Sequence, residues 1–190
     1  INKAVLKNGG IKINQLRSAT EVDITINNVG SIVQNINNSL YLDLAGLNLQ
    51  TTNFANSGDS SIIVGNSGAK LGTINLTGSG NLKLFSPKTS PGLNIDGTNS
   101  SANTTISLSG SDTIILLDQG THNVTLTDGN VNVITGPSTD TVLVAAGGQH
   151  NIETNGGSDT VSVIAGITLI NTGVDNDIVR LSDGNNDVKT

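Results

Sequence analysis

Cysteine is absent from this sequence, and so are methionine and tryptophan. Without cysteine there is no disulfide framework, no thiol catalysis and no thiolate metal site. Two histidines are too few for a His-rich zinc site. One tyrosine (Tyr41) and two phenylalanines (Phe54, Phe85) leave little from which to build a stacking platform for sugars or bases. No apolar run approaches the roughly 20 residues that span a bilayer. No basic-then-apolar leader is visible either, and a chain that opens at Ile1 and closes on NDVKT reads as a segment of something longer. Charged residues make up 13% of the chain, about half the usual share. Isoleucine, leucine and valine are nevertheless abundant and evenly scattered, which argues for a packed core rather than disorder. At 190 residues the chain is about one domain.

The charge that is present is divided unevenly. Residues 1–88 hold seven basic and four acidic residues, whereas residues 89–190 hold Arg180 and Lys189 against eleven acidic ones. Between Lys88 and Arg180 there is no lysine or arginine. Nucleic acid is a poor partner for either half, because binding it requires clustered cations. Carboxylates without local counter-ions suit a hard cation with oxygen ligands, Ca²⁺ above all.

What the chain has in excess is glycine, at 23 residues, and asparagine, at 26. From Gly110 onward they fall into a beat. One anchor per rung gives Asp112, His122, Val131, Asp140, His150, Asp159, Thr168, Asp177 and Asp187, each nine or ten residues after the last. After the anchor comes a short β-branched alternation, as in Thr141-Val142-Leu143-Val144 and Thr160-Val161-Ser162-Val163. Period two with Gly, Asn, Asp and Ser between the runs is strand-and-turn chemistry. A constant beat over nine rungs predicts an all-β chain, a parallel β-solenoid (β-helix or β-roll) with side chains laddered at ~4.8 Å. A series of β-sandwich repeats is the alternative fold.

The number of rungs in a turn is open. Two rungs, about 18 residues, stack Asp140, Asp159 and Asp177. Three rungs, 28 residues, stack Asp112 on Asp140, His122 on His150 and Asp159 on Asp187. The echo of GTHNV (120–124) in GQHNI (148–152) favours the three-sided coil. The first half repeats less evenly, with apolar pulses 7 to 14 residues apart, so some coils are expected to carry insertions. The chain is therefore read as an irregular solenoid over 1–88, with an N-terminal cap in its first fifteen to twenty residues, and an acidic regular solenoid over 89–190. SPKTSP (86–91) lies at the change, and the two parts are read as one continuous domain.

The rungs from 110 to 190 resemble the RTX, or calcium β-roll, nonapeptide G-G-x-G-x-D-x-U-x, where U is a large apolar residue. GVDNDIVRL (173–181) matches through Gly173, Asp177 and Val179, with Asp175 in place of a glycine. NGGSDTVSV (155–163) matches through Gly157, Asp159 and Val161. GSDTI (110–114) and STDTV (138–142) keep the aspartate and the apolar position, and DGNNDVKT (183–190) keeps Gly and Asp. The resemblance implies Ca²⁺ held between turns by Asp140, Asp159 and Asp177, with Asp112, Asp187, Asp175 and Asp183 as further candidates. It also implies a secreted, extracellular or bacterial cell-surface protein, similar to surface-layer (S-layer) subunits and large exported adhesins.

Catalysis needs convergent titratable groups in a pocket. His122 and His150 are the only general-base candidates at neutral pH and read as solvated corner residues. Asp175/Asp177 and Asp183/Asp187 could pass for a glycosidase carboxylate pair, but the acidic half lacks the aromatic and basic groove such enzymes use. No catalytic residue is assigned, and no enzyme is expected. The expected role is a structural module of a surface array, stabilised by calcium, that associates with itself or with neighbouring surface proteins or cell-surface polysaccharide. An adhesin or autotransporter passenger is the alternative binding role, and a β-helix polysaccharide-degrading enzyme the catalytic one.

Overall fold

The structure, a computed structural model, describes residues 3–5, 11–12, 21–26, 40–43, 50–65, 72–86, 92–109, 113–145 and 147–190. In chain order the strands begin with β1 (Lys3–Val5), β2 (Ile11–Lys12), β3 (Glu21–Ile26), β4 (Leu40–Asp43) and β5 (Thr51–Asn56). Next come β6 (Ser60–Gly65), β7 (Thr73–Gly78), β8 (Leu82–Ser86), β9 (Asn94–Ser100) and β10 (Thr104–Leu108). The regular half continues with β11 (Thr113–Leu117), β12 (His122–Leu126), β13 (Val131–Ile134), β14 (Thr141–Val144) and β15 (Gln149–Glu153). The last are β16 (Thr160–Val163), β17 (Ile167–Asn171), β18 (Ile178–Leu181) and β19 (Asn186–Lys189).

The odd-numbered strands stack into one parallel sheet of ten and the even-numbered strands into a second of nine. We call them the odd and even sheets. The chain is thus a parallel β-solenoid, all-β and without a helix among the described residues, and each turn has two sides. The three-sided coil is overturned. His122 lies in β12 of the even sheet and His150 in β15 of the odd sheet, so they share no ladder. A 28-residue echo spans three rungs, and an odd number of half-turns always lands on the opposite face. Asp187 pairs with Leu169, not with Asp159.

Alternation along each strand decides what goes inside. Ile74, Ile95, Ile115, Val133, Ile152 and Ile170 form one inner ladder of the odd sheet. Ile62, Leu84, Ile106, Val124, Val142 and Val161 form its counterpart on the even sheet. All twelve are essentially inaccessible to solvent, and burying each stabilises by roughly 1.5–3 kcal/mol. Polar partners ladder on the outside: Asn53 Nδ2 donates to Asp23 Oδ1 and Asn75 Nδ2 to Asn53 Oδ1, both at 2.7 Å.

The first half is stacked unevenly: Ile11 to Leu42 takes 31 residues and Ile24 to Phe54 takes 30, before the spacing settles near 22. Leu84 lies 22 residues from both Ile62 and Ile106 in the even sheet, whereas Ile106 to Val124 takes 18. The coil is therefore wider below β10 and narrower above it. β9 pairs with β7, and β10 with β8, so the stack runs on past SPKTSP, whose residues 87–91 lie outside the described ones. Of the expected cap, only residues 3–5 and 11–12 are described, and both segments already pair as rungs.

Candidate functional site

Three of the predicted ligands come together. Asp140, Asp159 and Asp177 each immediately precede an even-sheet strand and occupy successive places in one corner ladder. Asp140 Oδ1 accepts the backbone N–H of His122 at 2.7 Å. Asp159 Oδ1 accepts from Asp140 N at 2.8 Å, and Asp177 Oδ1 accepts from Asp159 N at 2.9 Å. Each carboxylate thus caps the rung below it, replacing a sheet bond at the point where the backbone turns away. Asp140 and Asp159 are each 1% exposed. The other oxygen, Oδ2, has no hydrogen-bond partner in any of the three residues.

A second ladder faces the first. Thr135, Thr154 and Thr172 follow the odd-sheet strands, one corner turn before each aspartate, and all are buried. Thr154 Oγ1 donates to the Thr172 carbonyl at 3.4 Å, while Thr135 Oγ1 and Thr172 Oγ1 lack partners within hydrogen-bonding geometry. Sequence reasoning missed these threonines. The signal is there, however, as T-x₄-D three times over: Thr135–Asp140, Thr154–Asp159 and Thr172–Asp177.

Burial decides the electrostatics of this corner. It pushes Asp140 up to about 6, against the pull of the Thr135 hydroxyl and the His122 N–H, with the Asp159 charge adding to the rise. Burial likewise raises Asp159, opposed by Thr154 and the Asp140 N–H and helped by the charges of Asp177 and Asp175. His122, at the foot of the ladder, is 2% exposed. Burial lowers its pKa, while the carbonyls of Asp118 and Gln119 and the Asp118 charge act the other way. Neither histidine is a solvated corner residue, since His150 is also buried, between Val131 and Thr168.

The remaining candidates lie elsewhere. Asp175 is exposed on the turn before Asp177, at a φ of 88°, and its Oδ2 accepts the Gly157 N–H at 3.3 Å. It occupies the stack position of Gly157, whose φ is 102°. Asp183 is exposed on the last turn, and Asp187 sits on the outer face of the odd sheet opposite Leu169. The corresponding inner ladder runs through Thr113, Val131, His150, Thr168 and Asn186, one residue away from Asp112 and Asp187. Asp112 itself lies outside the described residues. Among the described residues, no three His, Cys, Asp or Glu side chains are gathered as a metal shell. No protein-family model, curated protein or solved structure matches the chain.

Proposed function

We propose that this chain is a structural module of a secreted or cell-surface bacterial protein. In this reading it is a stiff segment of a surface array, and its role is mechanical rather than catalytic. One observation carries the reading. The described residues form a single unbroken stack in which strand pairing, two inner aliphatic ladders and a buried Thr/Asp corner all run along the same axis. Such a rod transmits load from turn to turn, because every turn is bonded to its two neighbours.

Calcium belongs to the same proposal. The donor chemistry suits a hard cation: unpartnered carboxylate oxygens on three successive rungs, with no lysine or arginine from 89 to 179. Asp140, Asp159 and Asp177, which carry those oxygens, are the residues that would supply ligands. Other oxygen donors would complete the shell, because no three carboxylates are gathered among the described residues. A bound cation would offset the repulsion of carboxylates stacked at ~4.8 Å and couple metal binding to folding. The test is a Ca²⁺ titration of the metal-free chain, followed by circular dichroism, melting temperature and light scattering. The expected outcome is a rise in Tm at millimolar Ca²⁺ together with ordered self-association. An unchanged Tm removes the metal, and a strictly monomeric chain with and without calcium removes the array.

A further inference from the structure

The place where the coil narrows carries a feature that the structural role does not use. Over the starts of β8, β10 and β12, a shallow cavity of about 270 Å³ opens on the even sheet. It is lined by Asn81, Lys83, Asn103, Thr105, Thr121 and Asn123, together with Leu82, Thr104 and His122. Its rungs are those at which the spacing falls from 22 residues to 18, as in Lys83–Thr105–Asn123.

The lining is rich in donors and holds no carboxylate. Lys83 supplies a cation, and Thr105 and Thr121 supply hydroxyls. Asn103 is oriented by its own stack: its Oδ1 accepts the Thr121 N–H at 2.9 Å, leaving the amide donors of Nδ2 for a ligand. Asn123, one rung higher, is exposed. Two residues along from Lys83, on the same outer face, stands Phe85, half-buried and in register with Ser107. It is one of only three aromatic residues in the chain. An aromatic side chain on the same strand face as a cation, next to a cavity lined by amides, matches a ring that is apolar on its C–H face and accepts hydrogen bonds around its rim.

We infer that this ledge binds an acidic carbohydrate, a pyranose bearing a carboxylate, with the carboxylate on Lys83 and the ring face on Phe85. The cavity lies just below the size range of sites for drug-sized ligands and takes one ring, with the rest of a polymer running along the flat, uncharged strip of Ser107, Asn123, Thr125 and Thr141. The inference goes beyond the mechanical role and stands whether or not the chain binds calcium.

Calorimetry of the full chain with a galacturonic acid oligosaccharide, and with a neutral cello-oligosaccharide of equal length, tests it. Binding is expected for the acidic sugar only, and it should weaken as salt rises. Lys83→Gln should weaken binding about tenfold, the loss of one charge-assisted hydrogen bond. Phe85→Ala should weaken it further. Thr160→Ser, on the same face but away from the ledge, should leave it unchanged. Circular dichroism and melting curves show whether each variant is folded, and the salt dependence of the unmodified chain gives a readout that needs no variant. Equal binding of the neutral sugar, no binding of the acidic one, or a folded Lys83→Gln chain that binds undiminished would each overturn the inference.

Discussion

Asp140 shows how much one side chain does in a stack. Its Oδ1 takes the place of a main-chain acceptor for His122, and its Oδ2 is buried without a partner. Asp140→Asn keeps the acceptor and removes the charge, so at pH 8 without metal it should melt higher than the parent. Asp140→Ala leaves the His122 N–H unpaired and should cost about 1–3 kcal/mol. Denaturant unfolding of the two variants separates these effects. The pH dependence has a definite sign. Because the folded value of Asp140 is raised to about 6, its stabilising contribution is complete below the unfolded value near 3.8 and is lost as pH rises through 6. The lowered His122 works oppositely: its contribution is present above 6.5 and is lost as pH falls through its folded value. The Tm advantage of metal-free Asp140→Asn over the parent should therefore grow between pH 4 and pH 7 and level off above. An advantage that does not vary with pH would contradict this account of the corner.

At the scale of elements, the turns set the limits. A methyl group on Gly173 would sit 1.5 Å from the Asn155 carbonyl oxygen of the rung below, and Gly173 has a φ of +85°. Gly92 has a similar φ of +79°, but open space around it. Gly173→Ala should therefore destabilise by about 3 kcal/mol or more, through strain and steric overlap together. Gly92→Ala should cost only the conformational strain, about 1–2 kcal/mol. Equilibrium unfolding of the pair checks the difference. The strands themselves were legible from the sequence, because period-two alternation in runs such as Thr141–Val144 reports directly which residues face inward. The ladder of Asp140, Asp159 and Asp177 follows from the spacing only when two rungs, and not the favoured three, are taken per turn. The side count itself was not legible. Both sheets fill their inner faces with the same Ile, Leu and Val, so nothing in the composition of a rung says which sheet it joins. The GTHNV/GQHNI echo then suggested a false stacking partner. The ledge was hidden for another reason: it arises from the fall in turn length across β8, β10 and β12, and that spacing emerges only when the strands are paired.

For the molecule as a whole, cohesion is local along one axis. Each turn is bonded to the turn before and the turn after, through the two sheets and the corner ladders. Repeat stacks of this kind gain and lose turns against their neighbours instead of around a single centre. The unequal turn lengths then become a mechanical signature. When the chain is stretched from its ends, each turn that peels away adds its contour length to the tether. An 18-residue turn adds about 60 Å, a 22-residue turn about 75 Å and a 30-residue turn, as from Ile24 to Phe54, about 100 Å at full extension. A force–extension trace should therefore show its shorter steps from turns above β10 and its longer ones from turns below it. Calcium should raise only the forces of the shorter steps.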